Sequence, residues 1–158
     1  MFVADIMLKK LARWLRILGV EVIYPPSVDD DEIIKLAKEN KKIILTMDEE
    51  LCQRARKQGV SAFLVPRKST EEQIAILIAR FHIKIANFPS KTLCPVCNGE
   101  LKQTKRKEVE GKVLEAVLKK HDKFWLCQKC GKVFWEGSHW ERINENVEKI
   151  KEILKTRH

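Results

Sequence analysis

Apolar positions in the first ninety residues fall into short runs separated by stretches with helical spacing. Phe2, Val3 and Ala4 form the first run and predict a strand closed by Asp5. From Met7 to Leu18 the leucines at 8, 11, 15 and 18 share one helical face, Lys9, Arg13 and Arg16 lie largely off it, and Gly19 stops the helix. Glu21 to Tyr24 predicts a second strand, and Asp29/Asp30 open a helix that reaches Asn40. A third strand, Ile43 to Leu45, ends at Thr46-Met47-Asp48 and is followed by a helix from Glu49 to Gln58 that stops at Gly59. Ala62 to Val65 is the fourth strand. Ser69-Thr70-Glu71-Glu72 has the form of a capping box for a helix reaching about Phe81. Strands that alternate with helices call for a parallel sheet covered on both faces, so the pattern predicts an α/β fold with strand order 2-1-3-4.

The alternation ends near Ile83. A Pro/Ser/Asn stretch to Ser90 predicts a linker, which divides the chain into residues 1–89 and 90–158. Beyond it lie a basic stretch from Lys102 to Lys107, a segment of unassigned structure from Glu108 to Asp122, and a terminal segment from Trp140 to Thr156. In that last segment Ile143, Val147, Ile150 and Leu154 recur at helical spacing, predicting an amphipathic helix packed on the body of the protein.

Composition sharpens this outline. The chain has 158 residues, 31 Lys+Arg against 22 Asp+Glu, and a formal charge of +9. The excess is uneven: residues 1–90 hold 15 basic and 12 acidic side chains, whereas residues 91–158 hold 16 and 10. A hydrophobic content of 44% supports a buried core and excludes a disordered chain. No apolar run approaches the roughly 18 residues of a membrane span, and the first ten residues lack the order of a signal peptide. The expectation is a cytoplasmic protein with no membrane partner.

In that compartment five cysteines point away from disulfides. Cys94/Cys97 and Cys127/Cys130 form two C-x2-C pairs separated by 29 residues, each followed by small residues that allow a tight turn. Four thiolates match the tetrahedral preference of Zn2+ in a closed structural site with no position open for catalysis. The spacing predicts a zinc ribbon. Zinc with four thiolates carries a net −2, which leaves the basic excess in place. Cys52 sits between apolar helix positions and reads as a core thiol. Trp125, Phe134, Trp135 and Trp140 form either the ribbon's own small core or a stacking surface for bases, and His139 is redundant as a fifth zinc ligand.

Sites in parallel sheets lie beyond the carboxyl ends of the strands, at switch points in the connections. In the order 2-1-3-4, Asp5 and Asp48 end adjacent strands about 4.8 Å apart, and Asp30 follows strand two at the same edge. Acids converging there call for a cation, and oxygen-only donors favour Mg2+ or Mn2+ acting on an anion such as a phosphodiester. Each acid also reads singly as a helix cap. Asp29, Asp31, Glu49 and Glu50 flank the three, with Glu50 the best further candidate. Lys10, Arg13 and Arg16 on the first helix are candidate phosphate contacts near that edge, against the default of a solvated basic face.

These residues resemble a known family. Phe2-Val3-Ala4-Asp5-Ile6-Met7-Leu8, Leu11-Ala12-Arg13-Trp14-Leu15-Arg16 with Gly19, Asp30 before Ile33-Ile34, Leu45-Thr46-Met47-Asp48, the two cysteine pairs and Trp135-Glu136-Gly137-Ser138-His139 are similar to the PIN-like ribonucleases named after the C-terminal domain of the nematode mutator exonuclease. The resemblance spans residues 2 to about 140. It implies a PIN-like domain followed by a zinc ribbon, metal-dependent cleavage of RNA, Asp5, Asp30 and Asp48 as catalytic metal-binding acids, and the four cysteines as zinc ligands. Two positions depart from the family pattern: Lys9 stands where Gly is usual, and Met47 where the family has Arg in T-R-D. The expected function is therefore a Mg2+/Mn2+-dependent ribonuclease acting on single-stranded or structured RNA. The alternatives are a catalytically degenerate RNA- or ribonucleoprotein-binding module and a zinc-ribbon adaptor for protein partners.

Overall fold

The computed structural model describes residues 1–85 and 89–156; positions 86–88 of the expected linker lie outside the described residues. Four parallel strands, β1 (Phe2–Ala4), β2 (Val22–Ile23), β3 (Ile43–Thr46) and β4 (Ala62–Leu64), form one sheet in the order β2-β1-β3-β4. β1 is the central constraint, because all three of its residues are fully buried and its neighbours pair on both sides, Phe2 with Val22 and with Ile43. Alternation along the strand sends Phe2 and Ala4 to one face and Val3 to the other. The first face is covered by α1 (Lys9–Ile17), α4 (Thr70–Phe81) and α7 (Ser138–Thr156), and the second by α2 (Asp30–Glu39) and α3 (Glu49–Lys57).

Local chemistry sets the helix boundaries. Asp5 caps a short 3-10 turn, Ile6–Leu8, through a bond from the Met7 N–H, so the single helix expected from Met7 begins at Lys9 instead. Asp29, not Asp30, caps α2 by accepting from the Glu32 N–H at 2.9 Å. Asp48 caps α3, and Ser69 and Glu72 form the expected capping box on α4. The apolar stripe of α7 buries Val147 and Ile150 in the core shared with β1, α1 and α4. Aromatic edges close that core, with Phe81 packed at 5.1 Å from Phe2 and 5.4 Å from Phe63.

The second sheet is antiparallel: β5 (Leu101–Thr104), β6 (Phe124–Cys127) and β7 (Val133–Trp135), in that order. The segment left unassigned by the sequence folds as two short helices, α5 (Arg106–Val109) and α6 (Glu115–Lys120), inserted between β5 and β6. Val109 of α5 and Phe124 of β6 are both fully buried, and α5 packs against β6.

One side chain joins the two sheets. Arg16 is a candidate phosphate contact or a solvated cation by sequence; its guanidinium is buried instead, with Nε and Nη2 donating to the Val22 carbonyl and Nη1 to the carbonyls of Pro95 and Val96. The helical wheel places Arg16 at the margin of the apolar face, and the first cysteine knuckle covers that margin. Around it the Leu93 N–H donates to the Arg16 carbonyl, the Val22 N–H to Asn98 Oδ1, and the Thr92 hydroxyl to the Ile17 carbonyl. The knuckle therefore supplies partners for β2, a strand of only two residues. Arg16→Leu should lower unfolding free energy by about 3 kcal/mol, since it leaves three carbonyls without their charged donor, and Arg16→Lys should recover little of the loss because an ammonium lacks the planar fork. Denaturant unfolding of the zinc-loaded protein checks this, and a change within about 0.5 kcal/mol, as for a surface residue, is the contrary result.

Candidate active site and zinc cluster

β1 and β3 lie side by side and send their connections to opposite faces of the sheet, since α1 and α3 sit on opposite sides. Their carboxyl ends therefore form a switch point, where ligands bind in open α/β sheets. Asp5 leaves β1 there, its backbone N–H donating to the Leu45 carbonyl of β3 at 3.0 Å. Its side chain is buried, and both oxygens accept bonds: Oδ1 from the Met7 N–H at 3.0 Å and Oδ2 from the Thr46 hydroxyl at 2.6 Å. Thr46 Oγ1 in turn accepts from the Asp48 N–H at 2.9 Å. One fully buried hydroxyl thus links the two acids and fixes their relative placement. The sequence places Thr46 at a strand end without marking it as a site residue. What would have found it is its position on β3 directly before the switch point.

Asp48 has its cap role, with Oδ1 accepting from the N–H groups of Glu50 and Leu51. Asp30 has none, because Asp29 performs the capping. Its carboxylate is 42% exposed and pairs with Arg54 at 3.1 Å, and Arg54 also pairs with Asp31. Burial raises the Asp30 pKa above its ordinary value, Arg54 opposes the rise, and the charges of Asp48, Asp5 and Glu50 add to it. The charges of three other carboxylates accordingly reach Asp30 at this edge, and α3 contributes Arg54 as a cation that the sequence pattern did not single out. Met47 does not face the acids. It packs against the core of α1 and α4, 3.8 Å from Gln73 Nε2.

The cysteines make a tighter group. The ligand sulfurs of Cys94, Cys97, Cys127 and Cys130 all lie within 4.8 Å of one another, with 3.8 Å between Cys94 and Cys130 and 3.4 Å between Cys97 and Cys127. Four sulfurs about 2.3 Å from a tetrahedral zinc stand about 3.8 Å apart, so the donor set fits that ion. The knuckles are built for close approach. A Cβ on Gly99 would lie 2.7 Å from Lys129 Cβ and 2.9 Å from the Cys127 sulfur, and Gly131 has φ +73°. Burial pushes the Cys94 thiol up to about 12; at Cys127 burial acts the same way, but N–H donors from Cys130 and Lys129 help bring it down to about 7. Arg16 adds its charge beside Cys94 and Cys97. Among the described residues no other group of three or more such side chains closes to this range, so the carboxylates stand further apart than the sulfurs do.

Lys10 and Arg13 are exposed on α1, as a phosphate contact requires, whereas Arg16 is committed to the ribbon. Cys52 is a buried free thiol of α3. His139 is exposed at the start of α7 and stands outside the sulfur cluster.

Comparison with known proteins adds one match, to a family model described as Mut7-C RNAse domain, over residues 1–147. No curated protein and no solved structure matches the chain.

Two measurements probe these sites. Metal analysis should find one zinc per chain, and Cys97→Ser should lose it on dialysis and melt at a lower temperature than the parent. The second concerns Asp30. Its folded-state pKa is raised, so the folded protein holds this proton more tightly than the unfolded chain does; the ionised form costs stability at neutral pH, and that cost fades as pH falls through about 4 and below. Asp30→Asn should therefore melt higher than the parent at pH 7 and converge with it in acid. A variant less stable at pH 7 would show that the Arg54 pair outweighs burial and repulsion.

Proposed function

The chain belongs to the Mut7-C RNAse domain family, and from that membership we propose that it is a metal-dependent ribonuclease hydrolysing RNA phosphodiester bonds at Asp5, Asp30 and Asp48. The observation that carries the proposal is the pairing of Asp5 and Asp48 through the Thr46 hydroxyl at the β1/β3 switch point, with Asp30 electrostatically coupled to both. Burial and the charges of Asp48, Asp5 and Glu50 together raise the Asp30 pKa, and carboxylates gathered in this way favour a cation among them. All the candidate donors are oxygens, and Asp30 and Asp48 are open enough to leave coordination positions to water, which suits Mg2+ or Mn2+. Bound there, such an ion supplies Lewis acidity toward a nonbridging phosphate oxygen and lowers the pKa of water.

The protein's own residues do the rest. Thr46 and the Met7 N–H hold the Asp5 carboxylate in one orientation while leaving it lone pairs for a ligand. Asp48 keeps one oxygen on its cap, and Glu50 stands one residue past the start of α3 as a further acid at the same edge. Lys10 and Arg13 hold the RNA backbone along α1, and hydrolysis leaves a 5′-phosphate and a 3′-hydroxyl. In this reading residues 1–89 carry the acid site, residues 90–158 carry the zinc ribbon and the terminal helix, and the protein works in the cytoplasm, where thiols stay reduced.

The alternative, a degenerate RNA-binding module on the same scaffold, is favoured by one observation: Arg54 already neutralises part of Asp30. Incubating labelled single-stranded RNA with the protein and Mn2+ separates the two. Asp5→Asn/Asp48→Asn should cut at least about 100-fold more slowly than the parent, beyond the 10–100-fold typical of losing an outer-shell partner of a metal. Mn2+ should raise the parent's melting temperature and not the variant's. Equal cleavage by both proteins overturns the nuclease reading, and salt-sensitive binding without cleavage by either supports the module.

A further inference from the structure

A second concave site lies away from the acids. Between α1 and the ribbon is a cleft of about 360 Å³, walled on one side by Arg13 and on the other by Trp125, Phe134, Trp135 and Trp140, with His139 at its margin. Protein interiors leave few voids larger than a water molecule, whereas ligand sites begin at roughly 300 Å³. A ribbon core alone accounts for Trp125, which is buried, pairs across the strands with Phe134 and packs 4.6 Å from Trp140. It does not account for the cleft, or for Phe134 and Trp135 lining it while only half-buried on the edge strand β7.

The charge on the walls narrows the occupant. No carboxylate lines the cleft, and Arg13 has no acidic partner among the described residues. Flat aromatic walls beside one unneutralised guanidinium suit a ligand that is planar at one end and anionic at the other. The position along α1 narrows it further. Arg13 lies eight residues past Asp5, on the order of 10 Å along the helix at about 1.5 Å per residue, and Lys10 lies between them on the exposed side. A strand whose phosphate is at the acids and whose backbone follows Lys10 and Arg13 reaches the cleft.

We propose that this cleft is a nucleotide subsite, in which one base of a single-stranded RNA stacks against Phe134, with Trp135 lining the rim, while an adjoining phosphate meets Arg13. The proposal rests on RNA being the substrate of the acid site and adds to it a position that senses the base. It gives the ribbon a role in substrate binding beyond holding zinc, and it predicts that a sugar-phosphate chain without bases is a poor ligand.

The zinc-loaded full chain, with no added divalent ion, is titrated by fluorescence anisotropy with a short labelled single-stranded RNA and with an abasic strand of the same length. Wild type should bind the RNA about tenfold or more tightly than the abasic strand, the contribution of one stacked base. Trp135→Leu and, separately, Phe134→Leu should reduce that preference and leave abasic binding unchanged. Arg13→Ala should weaken both strands and lower the salt slope by about one. Zinc content identifies any variant that fails to fold, and the other variants then decide. Equal binding of the two strands by wild type overturns the subsite, as does a preference that survives in every folded aromatic variant. Cleavage of RNA without base preference removes the subsite and keeps the nuclease; base preference without cleavage does the reverse.

Discussion

The guanidinium of Arg16 is the contact on which the two halves of the molecule depend. It satisfies the carbonyl of β2 on one side and two carbonyls of the first cysteine knuckle on the other, from a buried position. A buried cation needs compensation, and here it comes from three carbonyl dipoles and from sulfurs that are anionic once zinc is bound. The dependence is mutual. The knuckle gains a positive charge beside its thiolates, and β2, too short to hold an edge by its own ladder, gains an Asn98 acceptor and the Arg16 fork. An ion held by these four cysteines would therefore help to complete the parallel sheet.

At the opposite end of α1 the constraint is repulsion. The adjacency of β1 and β3 brings Asp5 and Asp48 to one edge, where the Thr46 hydroxyl bridges the Asp5 carboxylate and the Asp48 N–H, both acids serve as caps, and Arg54 pairs with Asp30. A cap needs only one carboxylate oxygen, so capping and cation binding are compatible uses of the same side chain. The same point explains why each acid, read singly, looked structural: Asp5 and Asp48 are caps, and they are also at the site. Asp30 is the informative exception, because Asp29 takes the cap and leaves the Asp30 carboxylate with Arg54 and the neighbouring negative charges.

Much of this was legible in the chain. Alternating strands and helices implied the 2-1-3-4 sheet, the acids follow from strand ends, and paired cysteines show the same geometry in sequence and in space. What was not legible depends on tertiary contacts. Arg16 has the periodicity of a surface residue, and only a knuckle some eighty positions away turns it inward. Thr46 carries no charge and matters because of what lies across the sheet. The terminal helix was expected against the body, but its packing on α4 comes from apolar residues far apart in sequence. The segment from 106 to 120 has no sustained periodicity, since α5 and α6 have only four and six residues.

Charge along α1 ties these pieces together. The helix has one face in the core, an exposed side with Lys10 and Arg13, and Arg16 turned into the ribbon; its approach begins at the buried carboxylate of Asp5. A net charge of +9 spread evenly would attract any polyanion and orient none. Here the cations on one rigid element serve different ends, Lys9, Lys10 and Arg13 toward solvent and Arg16 toward the thiolates, while the acids gather at the strand ends near its start. A negatively charged strand is drawn by a basic surface but repelled by clustered acids, so bringing a phosphate to Asp5, Asp30 and Asp48 requires positive charge beside them. Arg54 supplies only part of it. On the proposed ribonuclease reading, the same fold makes engagement of the acids conditional on a bound cation, which separates binding along α1 from chemistry at its end.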